Sequence, residues 1–187
     1  MRIAVYGGSF NPPHVAHAMV ASWLLWTDLV DEVWMVPVYR HAFEGIHGKK
    51  LAPYSMRVEW CRMLQTDVDE RISVSEIESK LPTPSYSIDT LCALKEQFPE
   101  HQFRLVIGAD VVPDLPKWKN WSQIAEEFAP IIVGRGGYPC PEGSIAFPEV
   151  SSSEIREVLK NGEIPSHFLF HSLAHALKNR NPYADTK

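Results

Sequence analysis

Cysteine is scarce in this sequence of 187 residues: there are three, Cys61, Cys92 and Cys140. An odd number at wide spacing builds neither a disulfide framework nor a zinc motif. It points to a reduced, cytoplasmic setting. Long apolar runs are missing too. Nothing approaches the roughly 18 consecutive apolar residues of a membrane span, so no membrane partner is expected. The opening MRIAVYGGSF breaks at Gly7, too soon for the apolar region of a secretory leader. Positive charge is in deficit: 18 Lys and Arg stand against 23 Asp and Glu, a net charge of -5. Nucleic-acid binding, which needs a basic footprint, is therefore not expected. Internal repeats and low-complexity tracts are absent as well. Hydrophobic residues make up 45% of the chain, enough to fill a core and to exclude wholesale disorder.

What is present is an alternation of two patterns. Short β-branched runs predict strands over Arg2–Tyr6, Glu32–Val36, Arg71–Val74, Phe103–Ile107 and Pro130–Val133. Helical spacing of apolar residues predicts helices over Val15–Trp26, Tyr54–Gln65, Ser87–Gln97, Trp121–Phe128, Ser153–Lys160 and Pro165–Leu177. Strand–helix alternation means an α/β fold: a doubly wound parallel sheet with helices on both faces, here followed by C-terminal helices. At roughly 150 residues per domain the chain is one domain. Residues 1–148 form its core, 149–178 a helical part and 179–187 a frayed tail. Ligands of such sheets bind beyond the carboxyl ends of the strands. Those ends are Gly7-Gly8, Pro37 onwards, Gly108-Ala109-Asp110 and Gly134-Arg135-Gly136.

The first of these ends carries the most chemistry: Gly7-Gly8-Ser9-Phe10-Asn11-Pro12-Pro13-His14-Val15-Ala16-His17. Glycines admit a ligand close to the backbone. Asn11 suits a helix N-cap, and Pro12 or Pro13 the first helical position. A helix start there is an anion site. His14 and His17, three apart, lie on one face and can donate to phosphate oxygens or stabilise charge growing on phosphorus. A tight turn and a well-capped helix would explain the glycines and prolines alone, and part-buried polar residues the imidazoles. The ordered set favours phosphate. A metal site lacks a carboxylate or cysteine at suitable spacing, so no protein-held metal is expected. Ser151-x-x-Glu154 fits a capping box, which explains those two residues but not Arg156, whose guanidinium can fork onto phosphate.

Four segments resemble the HxGH nucleotidyltransferases, and within them the bacterial nicotinate mononucleotide adenylyltransferases. Gly8-Ser9-Phe10-Asn11-Pro12 with His14-x-x-His17 is similar to the superfamily signature. Thr83-Pro84-Ser85-Tyr86-Ser87-Ile88-Asp89-Thr90-Leu91 resembles the family's S-Y-T-x-D-T-L stretch. Gly108-Ala109-Asp110 with Trp118 and Trp121 is similar to its G-x-D and tryptophan block. Ser151-Ser152-Ser153-Glu154-Ile155-Arg156 is similar to its S-S-T-x-I-R ending. The sequence departs from the family in two places. Ala16 stands where the family has glycine, and the proline–histidine–lysine segment after the second strand is replaced by 38–50.

The resemblance implies a Rossmann-like nucleotidyltransferase fold. The implied reaction is adenylyl transfer from ATP to nicotinic acid mononucleotide, giving deamido-NAD and pyrophosphate, with Mg²⁺ riding on ATP. It implies His14, His17 and Arg156 as catalytic residues. ATP contacts would come from Gly7, Gly8, Ser9, Phe10, His14, His17, Gly108, Asp110, Arg135, Ser152, Ser153 and Arg156. Mononucleotide contacts would come from Lys49 (or its neighbour Lys50), Thr83, Tyr86, Thr90 and Trp118. Each has a plainer explanation too: capping for Asp110, turn chemistry for Thr83, Tyr86 and Thr90, and core packing for Trp118. Alternative readings are an adenylyltransferase for nicotinamide mononucleotide or phosphopantetheine, or a nucleotide sensor without turnover. A homo-oligomer is compatible with the sequence, which does not set the oligomeric state.

Overall fold

The computed structural model describes residues 1–40 and 51–184. Six parallel strands form one sheet in the order β3-β2-β1-β4-β5-β6. They are β1 (Arg2–Gly8), β2 (Glu32–Pro37), β3 (Ile72–Val74), β4 (Gln102–Gly108), β5 (Ile131–Arg135) and β6 (Ala146–Phe147). The helices are α1 (Val15–Trp26), α2 (Tyr54–Val68), α3 (Ser87–Gln97), α4 (Trp121–Glu127), α5 (Ser152–Lys160) and α6 (His171–Asn179). Two 3-10 turns, Ile77–Lys80 and Ala109–Lys117, are the remaining helical elements among the described residues.

Alternation along the strands builds two cores. In β1, Ile3 and Val5 face α3 and α4, where they meet Leu91, Leu94, Ile124 and Phe128. Ala4 and Tyr6 face the opposite layer, where α1 and α2 contribute Val20, Leu24, Cys61 and Leu64. A third cluster packs α5 and α6 onto α2 through Trp60, Ile155, Leu159, Leu173 and Leu177. The strand order reverses between β1 and β4, and a doubly wound sheet opens its ligand crevice at that reversal.

Several expectations are corrected. A sixth strand sits within the Gly- and Pro-rich loop; at two residues it is too short to show alternation. The last helix begins at His171 rather than Pro165, because residues 165–170 form a turn. The described part of the tail is not frayed: the Asn181 side chain donates to the Leu159 carbonyl (2.7 Å). The first helix is capped by His14 and starts at Val15, so neither Asn11 nor the prolines open it.

Candidate active site

Gly7 and Gly8 finish β1 in extended pairing with Val36 and Pro37. The left-handed residue of the following loop is Phe10 (φ 44°), not a glycine. Gly8 is needed for a different reason. A Cβ there would lie 3.1 Å from the Phe10 ring, which folds back under the strand end. Phe10 is 2% exposed and its ring packs edge-on to Tyr6 and His17. Its side chain is therefore a floor for the loop rather than part of the cleft wall.

The cleft beyond this loop has a volume of about 340 Å³. Of the residues expected to meet ATP, Ser9, His14, His17, Gly108, Asp110, Arg135, Ser152, Ser153 and Arg156 line it together. Four segments supply them: the β1–α1 loop with the first turn of α1, the end of β4, the end of β5, and the start of α5. Gly7, Gly8 and Phe10 lie behind that wall. The sequence reading missed Tyr6, Val133, Phe147 and Val150, which form the more apolar side. Ordinary core-forming composition hid them.

The two imidazoles lie with centroids 3.8 Å apart. The His14 backbone N–H donates to His17 Nδ1 (3.1 Å). A neutral His17 must then carry its proton on Nε2, which makes that nitrogen a donor. His14 Nδ1 is buried with no hydrogen-bond partner among the described residues. The helix start is less open than its sequence suggested, since the Val15 N–H is taken by the Phe168 carbonyl. Burial, reinforced by the Arg135 charge, pulls His14 down to about 4. Burial also holds His17 well below its usual range, with His14 and Arg135 adding to the effect. Both are neutral at pH 7 in the ligand-free protein.

Unfolding restores both histidines to ordinary values, so the unfolded chain binds more protons between pH 6.5 and 4. Their favourable contribution is thus full above about pH 6.5 and is lost as pH falls toward 4. For His14 the loss is on the order of 3 kcal/mol, its shift taken at 1.36 kcal/mol per pH unit. Urea unfolding of the ligand-free protein at pH 7, 5.5 and 4.5 is expected to show this decline, and His14→Gln to flatten it. An equal pH slope in the two proteins contradicts the assignment.

Across the cleft, Ser151 caps α5, its Oγ accepting from the Ser153 N–H (3.2 Å). The bond falls on Ser153 and not on Glu154, so this is a simple N-cap and the expected capping box is not made. Ser152 Oγ donates to the Pro12 carbonyl (3.2 Å). Arg156 donates through Nη1 to the Asn11 carbonyl (2.7 Å) and through Nη2 to Ser153 Oγ (3.0 Å). The start of α5 is thereby stitched to the histidine loop. At the third side, Arg135 Nη1 pairs with Asp110 Oδ2 at 2.6 Å, joining the ends of β4 and β5. The Asp110 carboxylate folds back over Gly108, where any side chain would collide with it.

The residues expected to meet the mononucleotide stand elsewhere. Thr83 and Tyr86 are exposed ahead of α3. Thr90 is buried, donating to Glu78 Oε1 (3.2 Å). Trp118 is half-buried, edge-on to Trp121. None of the four lines the cleft. Lys119, which the sequence reading passed over, holds its ammonium 4.8 Å from the Tyr86 ring centroid and pairs with Asp89 (2.8 Å). Lys49 and Lys50 lie outside the described residues.

Arg57 was missed as well. It is 1% exposed and donates to the carbonyls of Ala52, Ser9 and Val38 at 3.0, 2.9 and 2.8 Å. The signal was available: Arg57, Cys61 and Leu64 are on one face of α2, so a charge stands on an apolar stripe. Among the described residues no group of three or more His, Cys, Asp and Glu is placed to hold a metal ion. No described helix is long and apolar enough to cross a membrane.

The cytidylyltransferase-like family pattern matches residues 5–158. A protein of Anaeromyxobacter sp. (strain K), named "Probable nicotinate-nucleotide adenylyltransferase", is 42% identical over 164 residues, covering 86% of this chain and 85% of its own. One of the same name from Myxococcus xanthus is 38% identical, covering 89% and 86%. Among solved structures, Plasmodium falciparum nicotinic acid mononucleotide adenylyltransferase complexed with NaAD has the same fold: TM-score 0.81 at 22% identity over 97% of each chain. The chain belongs to the cytidylyltransferase-like family and, within it, to the nicotinate-nucleotide adenylyltransferases.

Proposed function

We propose that the chain transfers the adenylyl group of ATP to nicotinic acid mononucleotide, releasing pyrophosphate and forming deamido-NAD for NAD biosynthesis. The observation that carries this reading is one cleft in which the His14–His17 pair faces Ser152, Ser153 and Arg156. Imidazole N–H groups, hydroxyls and a guanidinium are donors suited to a polyphosphate. The names of the relatives agree with it.

The chemistry needs no protein nucleophile. A phosphate oxygen of the mononucleotide attacks the α-phosphorus; one P–O bond forms, and the bond to the β-phosphate oxygen breaks in line. His17 Nε2–H and His14 stabilise charge on the α-phosphoryl oxygens. Ser152, Ser153 and Arg156 hold the leaving pyrophosphate. Gly108 gives room for the Asp110 carboxylate to accept ribose hydroxyls, and Arg135 steadies that carboxylate. Gly7, Gly8, Ser9 and Phe10 shape the loop that brings the α-phosphate to the histidines. Catalysis rests on alignment and charge stabilisation.

Mg²⁺ fits as a rider on the triphosphate rather than as a resident of the protein. Asp110 is the single carboxylate among the described cleft residues, and it is already paired with Arg135. Bound there, the ion would neutralise phosphate charge.

Thr83, Tyr86, Trp118 and Lys49 serve the mononucleotide in this reading, and Thr90, buried against Glu78, supports them from behind. The start of α3 offers backbone N–H groups to a pyridine carboxylate, and Trp118 an aromatic face. An amide would set its own donors against donors and leave groups unpaired. Pyrophosphate release is to be measured with ATP and, in turn, nicotinic acid mononucleotide, nicotinamide mononucleotide and phosphopantetheine. The acid is expected to exceed the amide by at least about tenfold in kcat/KM, about 1.4 kcal/mol. Equal efficiencies would overturn the substrate choice, and no release with any acceptor would overturn the reaction.

A further inference from the structure

Pro12 and Pro13, in the loop that carries the histidines, have no N–H, so this stretch has no amide donors of its own to hold it in place. Its acceptors tie it down instead. Asn11 is 2% exposed. Its carbonyl accepts from Arg156 and the next carbonyl, of Pro12, accepts from Ser152. Asn11 Oδ1 accepts from the Ala52 N–H (2.9 Å) and from the Tyr183 hydroxyl (2.6 Å). The last of these comes from beyond α6.

The path that delivers it is itself fastened. Asn181 Nδ2 donates to the Leu159 carbonyl at the end of α5, and the Tyr183 N–H donates to Asn181 Oδ1 (3.0 Å). The Tyr183 ring lies 6.1 Å from that of Trp60, centroid to centroid. Helix α5 is thus tied to the loop twice: from its start through Ser152 and Arg156, and from its end through Asn181 and Tyr183. Burial raises the Tyr183 hydroxyl far above its ordinary value, so it remains a donor at any working pH.

We propose that Tyr183 is a positioning residue: through Asn11 it sets the separation between the histidine loop and the start of α5, and so the alignment of the α-phosphate with the leaving pyrophosphate. The proposal rests on the reading of the cleft as the adenylyl-transfer site. It assigns a role to residues beyond the matched family pattern, which ends at 158.

Tyr183→Phe in the full chain removes one O–H and keeps the ring. Two readouts are needed: ATP affinity by calorimetry without mononucleotide, and steady-state kinetics. A loss of about tenfold in kcat/KM for ATP is expected, since small misplacements of reacting groups are amplified in rate. ATP affinity should weaken in step, and the mononucleotide KM should change little. The thermal midpoint should fall by no more than about 4 °C, the scale of one hydrogen bond in a chain of this size. Tyr183→Phe combined with Arg156→Lys should cost less than the product of the two single effects, because both act on Asn11. Asn181→Ala, which loosens the same path without touching the loop, should move both readouts in the same direction. Wild-type affinity and turnover in Tyr183→Phe, or strictly multiplicative effects, would overturn the proposal. If the wild-type chain makes no dinucleotide, the reaction fails as a reading, and ATP affinity alone decides the role of Tyr183.

Discussion

His17→Ala is expected to lower kcat by about 10² or more, the scale for removing one preorganised donor from a developing anion. The size of the effect follows from how the ring is held. The His14 N–H fixes Nδ1 as an acceptor, so Nε2 is the donor without any reorganisation during the reaction. Tyr6 and Phe10 pack around the ring and restrict its rotation. Both histidines are neutral before ATP arrives, and triphosphate charge beside them raises their proton affinity. His17→Gln, which retains an N–H donor, should recover part of the loss. The protein should stay folded, because the ring is half-buried at a ligand-facing turn. Steady-state kinetics with circular dichroism checks both statements. Near-normal turnover in His17→Ala would remove the residue from the mechanism.

Arg57→Met is expected to cost at least about 3 kcal/mol of stability, since carbonyls left buried without donors cost roughly 1–3 kcal/mol each. The guanidinium spans three backbone segments at once: Ser9 after β1, Val38 after β2 and Ala52 before α2. No carboxylate is among these three partners, so removal strands acceptors rather than a counter-ion. Arg57→Lys retains charge but cannot fork onto three carbonyls, and should lose most of the same stability. Urea unfolding is the measurement. A loss below about 1 kcal/mol for both variants would mean the carbonyls find other donors.

Much of this molecule was legible in its sequence, for identifiable reasons. Short β-branched runs found β1, β2 and β4, and helical apolar spacing found α1, to within about two residues, because these elements are buried on or within the sheet. It failed for β6, which is two residues long, and for 165–170, where apolar Phe168 and Leu169 sit in a turn. The cleft was legible wherever polar residues follow a strand or open a helix: His14, His17, Asp110, Ser152 and Arg156. Asn11 was noticed for the wrong role. Local reasoning makes it a cap, whereas its Oδ1 serves Ala52, 41 residues away, and Tyr183. Gly8 was read as admitting a ligand close to the backbone, yet it makes room for the Phe10 ring. Contacts between distant segments leave no periodic mark, which is also why Tyr183 went unread.

The central claim is that this cleft moves an adenylyl group and not a terminal phosphate. ATP labelled at the α-phosphorus, incubated with nicotinic acid mononucleotide and Mg²⁺, tests it most directly. Adenylyl transfer places the label in the dinucleotide and leaves the pyrophosphate unlabelled. Label retained in ADP, or in AMP with no dinucleotide formed, would contradict the account.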